Sequence, residues 1–405
     1  MNIIDEISEI ALTNANFNNE AVFQKGSAET IKKVNYKGIK MNQICRIAMP
    51  LACLLTTHLC YADSTTYKRW AVSAGWMHVM PQGKANSTHV TTSVVEGGSY
   101  GVGSSLWGSD IANYETNASE IKGMGGLLLN TFIKNGKADP NYKVPTSLMT
   151  GARSDITGIS DYTAQGGMEV ADTDTLGLTL SYFVNDHVSL ELVGGIPPKI
   201  DIDGVGEIRA SALSTANTPG KGTPPTYLNG LKLLKDTLIT DLGAHGKVAE
   251  VTAWTPAATV KYHFDALGQT KFRPFVGAGV VYGHFNKLKL NGGVEQDLIQ
   301  AGYMIDNILN DRAGEALQGG QGSSTATPKV KVKTSDAFAP VLTAGFTFDL
   351  TDRWFTTGSL SYMPNFNNVA TVTVTDTSTG TQLIKSTTKI DLDPLVTYLG
   401  VGYRF

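Results

Sequence analysis

The last stretch of the chain, KIDLDPLVTYLGVGYRF from Lys389 to Phe405, alternates by parity up to its final aromatic. Leu395, Leu399, Val401, Tyr403 and Phe405 share one parity, with Thr397 as its polar member; Val396, Tyr398, Gly400, Gly402 and Arg404 hold the other. A period of two belongs to a strand with two unlike faces. The ends of soluble domains fray unless tied down, so a pattern that sharpens toward the last residue marks an end held in place.

Seven earlier segments repeat the pattern: 70–80, 175–184, 188–196, 251–264, 272–285, 338–350 and 354–363. In 175–184, Leu176, Leu178, Leu180, Tyr182 and Val184 lie on one face, and in 338–350 Phe338, Leu342, Phe346, Phe348 and Leu350 oppose Thr343, Gly345, Thr347 and Asp349. The connections alternate as well. Asn185-Asp186-His187, DALGQT and Thr351-Asp352-Arg353 are tight, whereas about 81–174, 197–250, 286–337 and 364–388 are long. Short turns on one rim, long loops on the other and an even strand number predict a transmembrane barrel. Closure is what satisfies backbone hydrogen bonds inside a bilayer. The expectation is an all-β fold: an eight-stranded antiparallel transmembrane β-barrel, with long extracellular loops carrying short helices and both termini on the periplasmic side. The apolar parity faces lipid and the small or polar parity faces the lumen. Pro256 and Pro340 fall inside these segments and are expected at bulges or strand ends.

Helix-like spacing appears in the long connections at 230–246 and 294–317, where Leu298, Ile299, Tyr303, Ile305, Ile308 and Leu309 make one apolar side. A third apolar patch lies at 124–136. These pieces either pack on one another as a cap or line an apolar entrance above the barrel.

Composition removes other classes. The 405-residue chain has a formal net charge of −3 and no Lys/Arg-rich run, so a nucleic-acid partner has no electrostatic support. The three cysteines, Cys45, Cys53 and Cys60, precede the barrel, which excludes thiol chemistry and Cys-based metal sites from it. They sit in MNQICRIAMPLACLLTTHLCYADS, which reads as a signal peptide over 41–62 with cleavage after Ala62. Residues 1–40 then read as a mis-assigned upstream extension, and 63–405 as the barrel. The remaining histidines, His78, His89, His187, His245, His263 and His284, show neither metal-ligand spacing nor a readable nucleophile arrangement. No cofactor, no metal and no enzymatic activity are expected.

Together LDPLVTYLGVGYRF, KFRPFVGAGVVYGHF at 271–285 and LGLTLSYFVNDHVSLELVGGIPPK at 176–199 resemble the OmpW family of small outer-membrane porins. AVSAGWMHVMPQG at 71–83 and DRWFTTGSLSYM at 352–363 extend the resemblance in the same order. The first and third long loops are enlarged relative to that family. The resemblance implies a multi-pass protein of the bacterial outer membrane, with a narrow hydrophobic upper channel entered from outside and left sideways between strands. It also implies that Tyr403 and Phe405 form the C-terminal signal read by the barrel-assembly machinery.

Parity places Ser73, Gly75, Met77, Thr179, Ser181, Phe183, Glu191, His263, Arg273, Phe275, Thr343, Asp349, Ser359, Ser361 and Arg404 inward. Met77, Phe183, Phe275 and Phe285 are the candidates for apolar channel lining. Glu191 or Asp349 paired with Arg273 or Arg404 would plug the periplasmic half. The expected function is passive uptake of small hydrophobic molecules, with membrane lipid and such a ligand as partners. The alternative is a non-conducting barrel whose loops bind a host, phage or toxin partner.

Overall fold

The computed structural model describes residues 68–107, 133–134, 137–138, 143, 151–217 and 232–405. The expected upstream extension (1–40), the expected signal segment (41–62) and nearly all of the 124–136 patch lie outside the described residues. Eight of the described strands form a closed antiparallel barrel: β1 (Trp70–Met80), β2 (Thr173–Phe183), β3 (Val188–Gly195), β4 (Ala257–His263), β5 (Phe272–Leu290), β6 (Ala337–Asp349), β7 (Trp354–Tyr362) and β8 (Leu395–Arg404). Each pairs with its neighbours in chain order, and β1 pairs with β8 from Ala71↔Arg404 to Met80↔Leu395. Past the ladder, Phe405 N–H donates to Trp70 O at 3.0 Å. The sharp C-terminal pattern is therefore that of the strand that seals the barrel.

The two parities separate as the sequence requires. Val396, Tyr398 and Arg404 of β8 are buried, while Leu399, Val401 and Phe405 are exposed on the outer wall. Aromatic pairs mark the lower rim of that wall: Trp70 with Tyr182 at 4.8 Å and Trp354 with Tyr403 at 5.2 Å between ring centroids. At the upper rim Trp76 Nε1 donates to Asp174 and His78 Nδ1 lies 2.8 Å from the same carboxylate. Across the barrel, Tyr282 Oη donates to Asp336, with His284 beside it. Amphipathic rings at both ends of an apolar band are what the two bilayer interfaces select.

Pro256 interrupts the segment read as one strand over 251–264. The structure splits it into Lys247–Trp254 and β4, both paired to β5. Pro340 stays within β6, but the β7 ladder stops at Leu342↔Tyr362, so at that level β6 has only β5 as neighbour.

The long connections are mostly strand rather than loop with helices. Pro328–Thr334, Asn367–Asp376, Gln382–Asp391, Ala85–Thr92 and Asp161–Ala164 make one five-stranded sheet. Lys232–Asp241, Glu207–Asn217, Arg153–Thr157 and Gly98–Gly101 make a four-stranded one. The helix expected over 230–246 is a correction: Lys232–Asp241 is a strand, and helix is limited to one turn at Leu242–His245. Leu234 and Leu238 fit either period, but Thr237, Ile239 and Thr240 are β-branched and the partner strand Glu207–Asn217 supplies the ladder. The helix expected over 294–317 is present as α1 (Gly292–Leu309), followed by a single turn at Ala313–Ala316. Asn291 caps α1 by accepting from Gly293 N–H at 2.7 Å. Val294, Leu298, Ala301, Ile305 and Ile308 recur at four- and three-residue steps and are buried against the sheets.

A hairpin turn in this head is fixed by Asp376. Burial alone would raise its carboxyl, yet Thr327 N–H, the Thr379 hydroxyl, and the hydroxyl and N–H of Ser378 all donate to it and hold it well below the usual carboxylate range.

Candidate functional site

The inward parity builds two levels inside the barrel. The lower level is packed and polar. Glu191 on β3 and Lys261 on β4 stand on neighbouring strands and form a buried ion pair of 2.5 Å. Ser181 donates to the same carboxylate at 3.0 Å. Arg404 on β8 meets Asp349 on β6 at 2.7 Å and stacks over the Phe355 ring at 4.4 Å. Arg273, fully buried, donates from Nε to Asp265 O and from Nη2 to Asp186 O, tying the turns below the barrel. The Tyr398 hydroxyl lies 2.8 Å from Ser73 Oγ, which in turn is 2.7 Å from Thr179 Oγ1.

Tyr398 can lie flat against the wall because Gly177 and Gly400 flank it. A Cβ at Gly177 would stand 2.9 Å from the tyrosine ring and one at Gly400 2.5 Å from its hydroxyl. The bare backbone at both positions leaves room for one aromatic to form a floor.

Above this floor is a cavity of about 1030 Å³ of atom-free space, its mouth included. Met77, Val193, Ala257 and Val341 form its apolar walls, and Ile200, Phe285, Phe366 and Leu392 close over it from the head. Thr179, Thr259, Thr343, Ser359 and Ser361 bring hydroxyls to its lining; Ser361 donates to Thr343 at 2.9 Å. A concave, mainly apolar site with few polar groups is suited to a small apolar ligand.

Beside this cavity the barrel wall loses its ladder. The β3–β4 pairing ends at Val193↔Ala257 and resumes only at Lys199↔Thr252, where Lys199–Val205 pairs with Lys247–Trp254. Between them lie Gly194–Pro198 and Ala253–Pro256, joined by the bond from Ala253 N–H to Pro198 O at 3.1 Å. Pro197, Pro198 and Pro256 have no N–H to add to it. Val193, Pro198, Ala253, Thr255 and Ala257 line the cavity at this seam.

The structure places Met77 and Phe285 at the cavity and brings Glu191, Asp349 and Arg404 into the packed level. Phe183 and Phe275 differ from the expectation. They point inward but belong to the lower level, where their rings flank His263 at 5.3 and 5.4 Å and Lys261 sits 4.3 Å over Phe275. Of the acid–base pairs, Glu191 takes Lys261 rather than an arginine, while Asp349 and Arg404 meet as one of the combinations the sequence offered. Lys261 shares the parity of His263 and Tyr398 that of Arg404, but the sequence reading gave neither a role. The signal needed was register, because Glu191 and Lys261 stand diagonally on adjacent strands and meet only once Glu191↔Thr259 is fixed.

Ser189 Oγ is 3.0 Å from His263 Nε2, but His263 Nδ1 has no partner and faces aromatic rings, so no third group orients the imidazole as a base. Among the described residues no group of His, Cys, Asp and Glu could hold a metal ion.

The OmpW family model matches residues 143–320. Outer membrane protein W of Vibrio cholerae is 24% identical over 241 residues, covering 60% of this chain and 78% of that protein. Among solved structures, the outer membrane protein OprG from Pseudomonas aeruginosa aligns at 15% identity and a TM-score of 0.44, over 84% of this chain and 98% of that one. The outer membrane protein AlkL in DMPC lipid bilayers aligns at 15% identity and a TM-score of 0.35, over 86% of this chain and 97% of that one.

Proposed function

Given that the chain is an outer-membrane β-barrel of the OmpW family, we propose that it is a passive conduit for small hydrophobic molecules. The observation that carries this reading is the apolar cavity seated on a polar floor. A molecule that leaves water for this cavity gains on the order of 25 cal/mol per Å² of apolar surface removed from water. It meets buried ion pairs below and a weakly laddered seam at its side. Onward movement through the floor would strip the charges of their partners, whereas movement through the seam delivers the ligand into lipid without crossing them. Met77 and Phe285 belong to the wall it contacts; Phe183, Phe275, Glu191, Arg273, Asp349 and Arg404 belong to the plug that turns it aside.

Uptake of a small apolar fluorophore by cells with and without the protein tests this reading. Cells carrying Val341→Asp, which sets a carboxylate into the cavity wall, are expected to take up the probe no faster than cells lacking the protein. Equal uptake in all three would sink the conduit. Weight would then shift to recognition by the head, whose exposed Leu213, Leu234 and Leu238 share one sheet.

The same reading assigns Tyr403 and Phe405 to recognition by the barrel-assembly machinery. Its support is that Phe405 is exposed on the outer wall at the closing seam, with Arg353 donating to the Tyr403 hydroxyl at 2.8 Å. A chain ending at Arg404 is expected at a lower level in the outer membrane; an unchanged level would remove the assignment.

A further inference from the structure

The head contains a second cavity, about 960 Å³ of atom-free space with its mouth included, and it shares no lining residue with the cavity in the barrel. It lies between α1 and the sheet that contains Glu207–Asn217 and Lys232–Asp241. Ile156, Ile208, Ile239, Met304, Ile305 and Ile308 give it apolar walls.

Interiors ordinarily close such spaces, because atoms that face a void forfeit their dispersion contacts. Here the chain spends small residues where large ones would fill the gap: Ala210 and Ala212 on the sheet, Ala301 on α1 and Ala316 beyond it. Collapse is prevented by fixing α1 at both ends. His245 Nε2 lies 3.0 Å from Asp297 near its start. At its end Ser324 donates to Asp306 at 2.6 Å, Asn307 donates to Gln321 O, and Gly101 N–H donates to Asp311 at 2.6 Å. The space is held open by a polar frame outside it.

Two features define what it would accept. No Asp, Glu, Lys, Arg or His lines it, and the Tyr162 phenol in its wall is pushed up to about 12 by burial, so the surface is uncharged throughout the physiological range. Ser154 Oγ, on a residue only 1% exposed, lines the cavity and has no hydrogen-bond partner. A buried hydroxyl without a partner is unfavourable. It is satisfied by a ligand that brings one polar atom.

We propose that this cavity is a second binding site, for a small neutral molecule that is largely apolar and carries a single hydrogen-bonding group. The site rests on the conduit reading for its place in a route, as the position where such a molecule is first held outside the membrane. It does not rest on it for binding.

The test uses the full chain in lipid nanodiscs, with 2-naphthol as the probe, naphthalene as its hydroxyl-free counterpart and empty nanodiscs subtracted. Calorimetric titration of the wild type is expected to give two sites per chain. Ala301→Phe and Ala212→Trp, which fill the head cavity from opposite walls, are each expected to leave one. Val341→Asp is expected to remove the other. Ser154→Ala is expected to weaken 2-naphthol at the head site several-fold while leaving naphthalene unchanged. A single site in the wild type that survives both filling variants overturns the proposal, as does a Ser154→Ala variant that weakens both probes alike. Two sites in a protein that fails to support uptake would uphold the head site and overturn the conduit, so the two failures are distinguishable.

Discussion

Replacing Lys261 with Met is expected to destabilise the barrel by roughly 3–5 kcal/mol, because it leaves the Glu191 carboxylate buried without its counter-charge. The two side chains are 8% and 10% exposed, so water cannot take the place of the lost partner. Ser181 still donates to Glu191, but one neutral hydroxyl does not replace an ammonium 2.5 Å away. The contact of Lys261 with the Phe275 ring is lost as well. Glu191→Gln combined with Lys261→Met removes both charges and is expected to recover most of the loss, since a charge-free pair of similar volume has little desolvation to offset. Urea unfolding of the refolded barrel, followed by tryptophan fluorescence, measures both. If the single and double variants unfolded at the same urea concentration, the pair would be solvated and the floor of the cavity would not be the barrier described here.

The barrel was legible in the sequence because its determinants are local and binary. Parity alone separates Leu399, Val401 and Phe405 from Tyr398 and Arg404. The plug was legible only in kind. That charged residues would meet in the lumen follows from parity, but Glu191 finding Lys261 depends on the register of β3 against β4, which no single strand encodes. Height inside the barrel is likewise set by register. Phe183 and Phe275 point inward and lie beneath the cavity, packed around His263. The head was the least legible. Several of its strands pair across large sequence separations, as Ala85–Thr92 does with Gln382–Asp391, and short polar strands of that kind have no amphipathic signature of their own. α1 was visible because a helix carries its whole period within one segment.

Ala257→Trp is the substitution that decides between the two ways out of the cavity. Ala257 is the last residue of the β3–β4 ladder, is 8% exposed, and faces the cavity where the wall changes from hydrogen-bonded strands to the segment of prolines. An indole there occupies the inner side of the seam and leaves the floor untouched. If ligands leave through the seam, uptake of an apolar fluorophore is expected to fall about tenfold, equivalent to about 1.4 kcal/mol on the exit step. Glu191→Gln with Lys261→Met, which uncharges the floor, is then expected to leave uptake unchanged. If ligands instead pass straight down, the order reverses: uncharging the floor speeds uptake and the indole at the seam has little effect. Binding of the probe to the purified Ala257→Trp barrel separates a blocked exit from a filled cavity, because a blocked exit keeps the lumen site occupied. The chemistry of the wall favours the sideways route. Below the cavity a neutral ligand would have to part Glu191 from Lys261 and Asp349 from Arg404, whereas at the seam a single backbone hydrogen bond joins the two segments.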